Sequence, residues 1–258
     1  MSLLIDADYI VYKACASAEC ELDFGDDVIV VTSQFSEAMK LVNRELFSIA
    51  ECMGVFDDMI LFFSGPNNFR KMVDPEYKGN RNRRKPCGYK RVVNLLRKEY
   101  PVVMYDNLEA DDALGIWSTR EPLEHIIVSP DKDMRQIPGL LFNLKDATEE
   151  IEPEEADRWH YIQTLAGDCT DGYSGVPGIG IKRADALLTK EGMNWTTVVN
   201  AYAAKDLDEK VAIQNATLAR ILRHENYDIE TGQITFWQPP TDAGAGADDG
   251  AAVQHSTD

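Results

Sequence analysis

The sequence contains no apolar run approaching the roughly 20 residues that a helix needs to cross a bilayer. Its opening Leu3-Leu4-Ile5 meets Asp6 at once, so no signal peptide and no membrane are expected, and the cytoplasm is the default compartment. Cysteine pairing is also missing. Cys15, Cys20, Cys52, Cys87 and Cys169 are odd in number and include no C-x-x-C pair, which argues against a disulfide framework or a zinc knuckle. Cys169 has no histidine near it in sequence, so a nucleophile is not expected there. His125, His160, His224 and His255 are scattered without H-E-x-x-H spacing, and ordinary structural or solvent-facing roles are expected of them. Internal repeats are absent.

Positive charge is scarce overall. The chain has 26 Lys and Arg against 44 Asp and Glu, a net charge of −18. That average argues against nucleic acid, because non-specific affinity for DNA rests on cations meeting phosphates. The distribution reverses the argument. Arg70, Lys71, Lys78, Arg81, Arg83, Arg84, Lys85, Lys90, Arg91, Arg97 and Lys98 face only Asp74 and Glu76 in the same stretch. A basic belt is set in an acidic body. Taken alone, such a belt reads as a solvated charged face.

What the chain does have is 258 residues with 44% hydrophobic and 27% charged content, enough for one large domain or a domain with an appended module. Leu3–Ile5, Val28–Val31, Met59–Phe63, Val102–Met104, His125–Val128 and Leu140–Leu144 read as strands. Phe35, Met39, Val42, Leu46, Ile49 and Met53 recur at helical spacing, and Ala110–Trp117 reads as a further helix. Strands alternating with helices predict an α/β fold with a parallel sheet over 1–150. From 151 to 238 the pattern turns helical, with helices expected at 156–165, 181–188, 195–202 and 209–222 and a short strand at 234–236. From Pro239 onward the Gly, Ala and Asp content predicts a disordered tail.

In parallel α/β sheets ligands bind beyond the carboxyl ends of the strands. The acids expected there are Asp6, then Glu109, Asp111 and Asp112, then Asp131 and Asp133, and finally Asp168 and Asp171. So many like charges cannot share a small volume without cations. An all-oxygen set suits Mg²⁺ or Mn²⁺, and paired ions are a known solution for cutting phosphodiesters. Glu109 is either a ligand or a group that holds a ligated water. Asp8, Asp57, Asp58, Asp74 and Asp106 are assigned to helix caps and incidental positions, Asp8 capping the first helix. The last acids lie in GDCTDGYSGVPGIGIKRA (167–184), where Gly178 and Gly180 precede Lys182 and Arg183 at the start of a helix. A glycine-relieved turn into a helix exposes backbone N–H groups that bind phosphate.

The order LLIDAD, EYKGNR, EADD, SPDKD and GDCTDGYSGVPGIG resembles the 5′-nuclease superfamily of flap endonucleases and phage 5′→3′ exonucleases. The podovirus type is the most similar, through NNFRKMVDPEYKGNR, WHYIQTLAGDCTDGYSG and ARILRHENYDI. The resemblance covers roughly 3–237. It implies a PIN-like nuclease core with a helix–hairpin–helix module, dependence on Mg²⁺, and hydrolysis of duplex DNA from 5′ ends or flaps in a host cytoplasm.

By position, the resemblance makes Asp6, Glu109, Asp111 and Asp112 ligands or near-ligands of a first metal. It places Asp131, Asp133, Asp168 and Asp171 at a second. Residues of about 66–90 would form an arch, with Lys78 and Arg81 on the scissile phosphate and Tyr77 stacking on a terminal base. Gly175, Gly178, Gly180, Lys182 and Arg183 would hold duplex phosphates, with K⁺ as a monovalent aid. A monomer working beside replication or recombination proteins is implied. One departure stands out: the family carries an aspartate after its second main strand, where this chain reads Phe62-Phe63-Ser64-Gly65. Exonuclease, flap endonuclease with RNase H-type action on RNA–DNA hybrids, and DNA-binding accessory protein all remain open at this point.

Overall fold

A computed structural model describes residues 1–81, 84–121, 123–145 and 147–240. Arg83 of the basic belt, and the expected tail from 241 onward, lie outside these residues.

Strand β1 (Ser2–Asp6) is central because Leu3, Leu4 and Ile5 are apolar on both faces and have no solvent exposure. Each such side chain contributes roughly 1.5–3 kcal/mol of burial. Asp6 ends the strand and caps α1 (Ala7–Ser17), accepting the Tyr9 N–H. A hairpin of β2 (Glu19–Asp23) and β3 (Ile29–Ser33) leads to α2 (Phe35–Met53) and β4 (Met59–Phe62). Then come α3 (Arg70–Val73), α4 (Tyr89–Glu99), β5 (Val102–Val103), α5 (Ala110–Arg120) and β6 (His125–Val128). A 3-10 turn (Lys132–Gln136) precedes β7 (Gly139–Phe142) and β8 (Glu149–Ile151). The chain continues through α6 (Pro153–Ala166), the short ribbon of β9 (Gly167–Asp168) and β10 (Tyr173–Ser174), and α7 (Ile181–Glu191), α8 (Trp195–Ala203) and α9 (Glu209–Ala219).

The main sheet has the order β5-β4-β1-β6-β7-β8. Its strands run parallel except β8, which returns antiparallel beside β7. Val11, Val42, Leu46, Val92 and Leu96 cover one face. Ala113, Leu114, Met134 and Ile137 cover the other. The helices after β8 enclose their own cluster around Leu165, Val176, Leu188, Val198 and Tyr202. Tyr202 is fully buried, and its hydroxyl donates to the Thr164 carbonyl at 2.6 Å and accepts from Asn215 at 2.8 Å. Among the described residues no helix is long and apolar enough to cross a membrane.

The expected alternation of strand and helix holds, with four corrections. The strand near Val28–Val31 is present as β3, but it pairs only with β2, and Ile29 is 60% exposed. Its apolar sequence therefore reports neighbour pairing, not sheet burial. The final helix stops at Ala219 instead of Leu222, because the backbone groups beyond it find side-chain partners elsewhere. Ile234 makes one isolated bridge to Tyr227 and no strand. Asp8 is not the cap of α1; it accepts the Ser64 N–H at 2.8 Å and the Tyr89 hydroxyl.

Candidate active site

The carboxylates gather at the carboxyl edge of the parallel strands, as the strand ends dictate. Asp6 leaves β1, Glu109 and Asp111 open α5 after β5, Asp131 and Asp133 follow β6, and Asp168 and Asp171 flank the turn after β9. Ser129, fully buried at the end of β6, donates to Asp6 Oδ2 at 2.8 Å and accepts the Asp131 N–H at 3.2 Å. One hydroxyl thereby fixes two of the acidic segments against each other.

Their crowding has an electrostatic signature. Burial, then the neighbouring charges of Asp8 and Asp131, raise Asp6 to about 6 against a lowering hydrogen bond from Ser129. Burial and the charges of Asp6, Glu109 and Asp131 raise Asp111 well above the carboxylate range. Burial and Asp131 raise Asp133 to about 6. Glu109 goes the other way: burial would raise it, but Lys78 and Arg70 outweigh that and hold it at about 2.

Belt cations reach into the cluster. Lys78 pairs with Glu109 and lies 3.5 Å from Asp171, and Arg81 pairs with Asp171. Lys132 lies 3.1 Å from Asp133 and 3.9 Å from Asp168. Lys78 has φ of 54°, a left-handed conformation costing about 1–2 kcal/mol for a side chain of this kind. Its N–H donates to the Asp171 carbonyl at 2.7 Å, which holds the strained turn against the acidic loop. Among the described residues no three His, Cys, Asp or Glu side chains are disposed to share one ion. In this arrangement the ammonium and guanidinium groups lie between the carboxylates.

Three of the expected residues sit differently. Tyr77 is 2% exposed and packs with Tyr173, Leu218 and Ala219, so its ring is not open for base stacking. Its hydroxyl lies 2.9 Å from Asp171 and 3.1 Å from Glu109, and its single proton serves one of them at a time. Asp112 has no exposure, and Arg70 takes both its oxygens, so it stands apart from the open cluster. Gly175 is required by packing: a Cβ there would meet the Leu165 carbonyl oxygen at 2.3 Å. Gly178, Gly180, Lys182 and Arg183 are exposed at the start of α7, with the Arg183 guanidinium donating to the Gly178 carbonyl at 2.6 Å.

The family model of the 5′-3′ exonuclease N-terminal, resolvase-like domain matches residues 1–158. The chain belongs to the 5′-3′ exonuclease family. It is 28% identical to the exodeoxyribonuclease of Enterobacteria phage T3, with 92% of each chain covered. It is also 28% identical to the exonuclease of Escherichia phage T7, over 92% of this chain and 93% of that one. A solved structure of the T5 5′-exonuclease with bound zinc shares the fold with a TM-score of 0.62 at 17% identity, covering 84% of this chain and 88% of that chain.

Within the site of this chain, four residues have partners that motif reading does not supply: Ser64, Asp8, Arg70 and Ser129. Ser64 stands where the resemblance leads one to expect a carboxylate, and its hydroxyl accepts the Ala110 N–H at 3.1 Å at the start of the helix that bears Asp111. Asp8 approaches the same loop through the Ser64 N–H, and Lys85 lies 3.5 Å from it. Arg70 belongs to the belt in sequence yet is 3% exposed. The D-x-D spacing of Asp6 and Asp8 was a signal for the second. For Ser129, Ser64 and Arg70 the partners are distant in sequence, and no local pattern marks them.

Proposed function

We propose that this chain hydrolyses phosphodiester bonds of duplex DNA from 5′ ends, with divalent cations held at the carboxyl edge of the sheet. The observation that carries this is the convergence of Asp6, Glu109, Asp111, Asp131, Asp133, Asp168 and Asp171 from four segments beneath Lys78 and Arg81. The donor set is all oxygen, which suits Mg²⁺ with Mn²⁺ as a substitute. Once Lys78, Arg81 and Lys132 turn away from the carboxylates they now pair with and the acids close up, Asp6, Glu109, Asp111 and Asp131 would hold one ion, and Asp131, Asp133, Asp168 and Asp171 a second. When bound, such ions lower the pKa of water and offset charge on the phosphate. The zinc described in the T5 relative supports a divalent site in the same fold.

The chain's own groups do the rest. Lys78 and Arg81 hand their contacts from Glu109 and Asp171 to the scissile phosphate, where developing charge strengthens them. Asp112 contributes by fixing Arg70, not as an open ligand. The α6–α7 pair acts as a helix–hairpin–helix: Gly178, Gly180, Lys182 and Arg183 hold duplex phosphates away from the cut, with K⁺ as an aid. A second reading, a DNA-binding accessory protein, is favoured by one observation, the serine at position 64.

A time course on linear duplex labelled at either end, in Mg²⁺, Mn²⁺, Ca²⁺ and chelator, separates these. Early release of small fragments from the 5′ label in Mg²⁺ or Mn²⁺ alone is expected. Stable binding in Ca²⁺ with no release in any metal would hand the case to the accessory protein. Cleavage of flaps with blocked 5′ ends would add endonuclease action.

A further inference from the structure

The ARILRHENYDI segment near the C-terminus is far in sequence from every candidate catalytic group, yet it is built into the site. Arg70 Nε donates to the Leu218 carbonyl at 2.9 Å, and one of its terminal nitrogens donates to the Arg220 carbonyl at 2.5 Å. The same guanidinium forks onto Asp112 at 2.7 and 2.8 Å and reaches Glu109 at 3.3 Å. Asp112 in turn accepts the Leu222 N–H at 3.1 Å and the Glu109 N–H at 3.3 Å. All donors of this buried guanidinium are thus committed to two separate parts of the chain, 109–112 and 218–220.

The neighbours repeat the pattern. The Ile221 N–H donates to Gln136 at 3.2 Å, and the His224 N–H donates to the Thr119 hydroxyl at 2.9 Å. Phe69, just before Arg70, stacks on Phe236 with centroids 5.9 Å apart. Gly115 on α5 lets the segment lie close, since a Cβ there would meet the Leu222 carbonyl oxygen at 2.3 Å. These contacts explain why α9 ends at Ala219: the following backbone groups are satisfied by Arg70, Asp112 and Gln136 instead of by helix.

We propose that Arg70 is a positioning residue through which the C-terminal strap, residues 218–224, holds Glu109 and the first turn of the basic belt in register. Arg70 stands at the start of α3, which leads directly into Tyr77 and Lys78, and both of these also contact Glu109. The strap therefore clamps the carboxylate and the cations over it as one unit. The site is complete only when the last segment of the fold has docked. This rests on the nuclease reading given above.

Arg70→Lys keeps the buried charge but not the planar fork. The variant should fold, bind duplex DNA in Ca²⁺ as the wild type does, and lose roughly 10²-fold in kcat with KM little changed, the scale of a small misplacement in a site. Ca²⁺ measured calorimetrically without DNA should bind about tenfold more weakly, as for other groups that orient ligands. Hydrogen exchange at the Leu222 amide should quicken. Gly115→Ala offers an independent route, pushing on the strap from α5 without touching the carboxylates. It should also quicken Leu222 exchange and lower kcat, and it decides the matter if Arg70→Lys does not fold.

Turnover within about twofold of wild type in either folded variant would overturn the coupling. Leu222 exchange unchanged in both variants would do the same. A wild type inert in every metal would instead sink the nuclease reading, and the coupling would then be judged from Ca²⁺ affinity and Leu222 exchange alone.

Discussion

Lys78 and Glu109 form an ion pair between a strained belt turn and the N-terminus of the helix that carries Asp111. The pair is 17% and 16% exposed, so it is largely desolvated, and each partner holds the other in its charged form. Burial lowers the Lys78 ammonium, but Glu109 and Asp171 overcome this and raise it. A cation held in this way is available to a phosphate only if the carboxylates find other partners.

That relationship sets the first expectation. Lys78→Ala should lower turnover by about 10²–10³-fold while leaving duplex affinity in Ca²⁺ within a few-fold, as for a contact that strengthens in the transition state. Single-turnover cleavage and equilibrium binding measured on one substrate will separate the two. A loss confined to affinity would place Lys78 among general phosphate contacts.

Asp131→Asn tests the carboxylate cluster. Asp131 raises Asp6, Asp111 and Asp133 alike, so it stands between the two proposed groups. Its oxygen also accepts the Asp133 N–H at 2.9 Å, a bond that asparagine retains. The fold should survive, DNA should bind, and most cleavage should disappear. Near wild-type turnover would remove Asp131 from the catalytic set.

The sheet and the acids at its edge were readable because their causes are local. Leu3-Leu4-Ile5-Asp6 announces a buried strand delivering a carboxylate, and the same logic holds for His125–Val128 with Asp131. Tyr77 is the opposite case: what buries it is Tyr173 and the Leu218-Ala219 end of α9, about a hundred residues and more away. Asp112 is indistinguishable in sequence from its neighbour Asp111, and only the contacts of Arg70 and the strap to its oxygens set it apart. Val28–Val31 has the composition of a core strand, and only tertiary pairing shows that it belongs to an exposed hairpin. Position along the chain gives the donor atoms; their partners decide which ones remain open.

The raised carboxyls predict how Mg²⁺ and pH act together. Asp6 and Asp133, at about 6 in the folded chain against 3.8 ordinarily, favour folding when protonated. That contribution is full below about pH 3.8 and is lost as pH rises through about 6. A divalent ion must displace protons at pH 5 but meets ionised, mutually repelling groups at pH 8. The rise in Tm on adding Mg²⁺ should therefore be larger at pH 8 than at pH 5, read by calorimetry with chelator as the baseline. An increment that shrinks toward pH 8 would mean that these carboxyls do not meet the ion.

His160 gives a pH dependence of the opposite sign. It is 2% exposed, its Nε2 lies 2.8 Å from the Ala216 carbonyl, and its ring meets Trp237 edge-on at 5.3 Å. Burial, reinforced by the charge of Arg220, lowers it from 6.5 to about 3. The folded state keeps the ring neutral, so His160 favours folding fully above pH 6.5, and this is lost progressively as pH falls toward 3. Each unit in that window costs about 1.4 kcal/mol. His160→Gln keeps an N–H for the Ala216 carbonyl but cannot charge. It should be somewhat less stable at pH 7 through lost packing, yet lose less stability than the wild type between pH 6.5 and 4.5. Urea unfolding at the two pH values gives the difference directly. Parallel losses in both proteins would show that another group carries the acid sensitivity of the helical region.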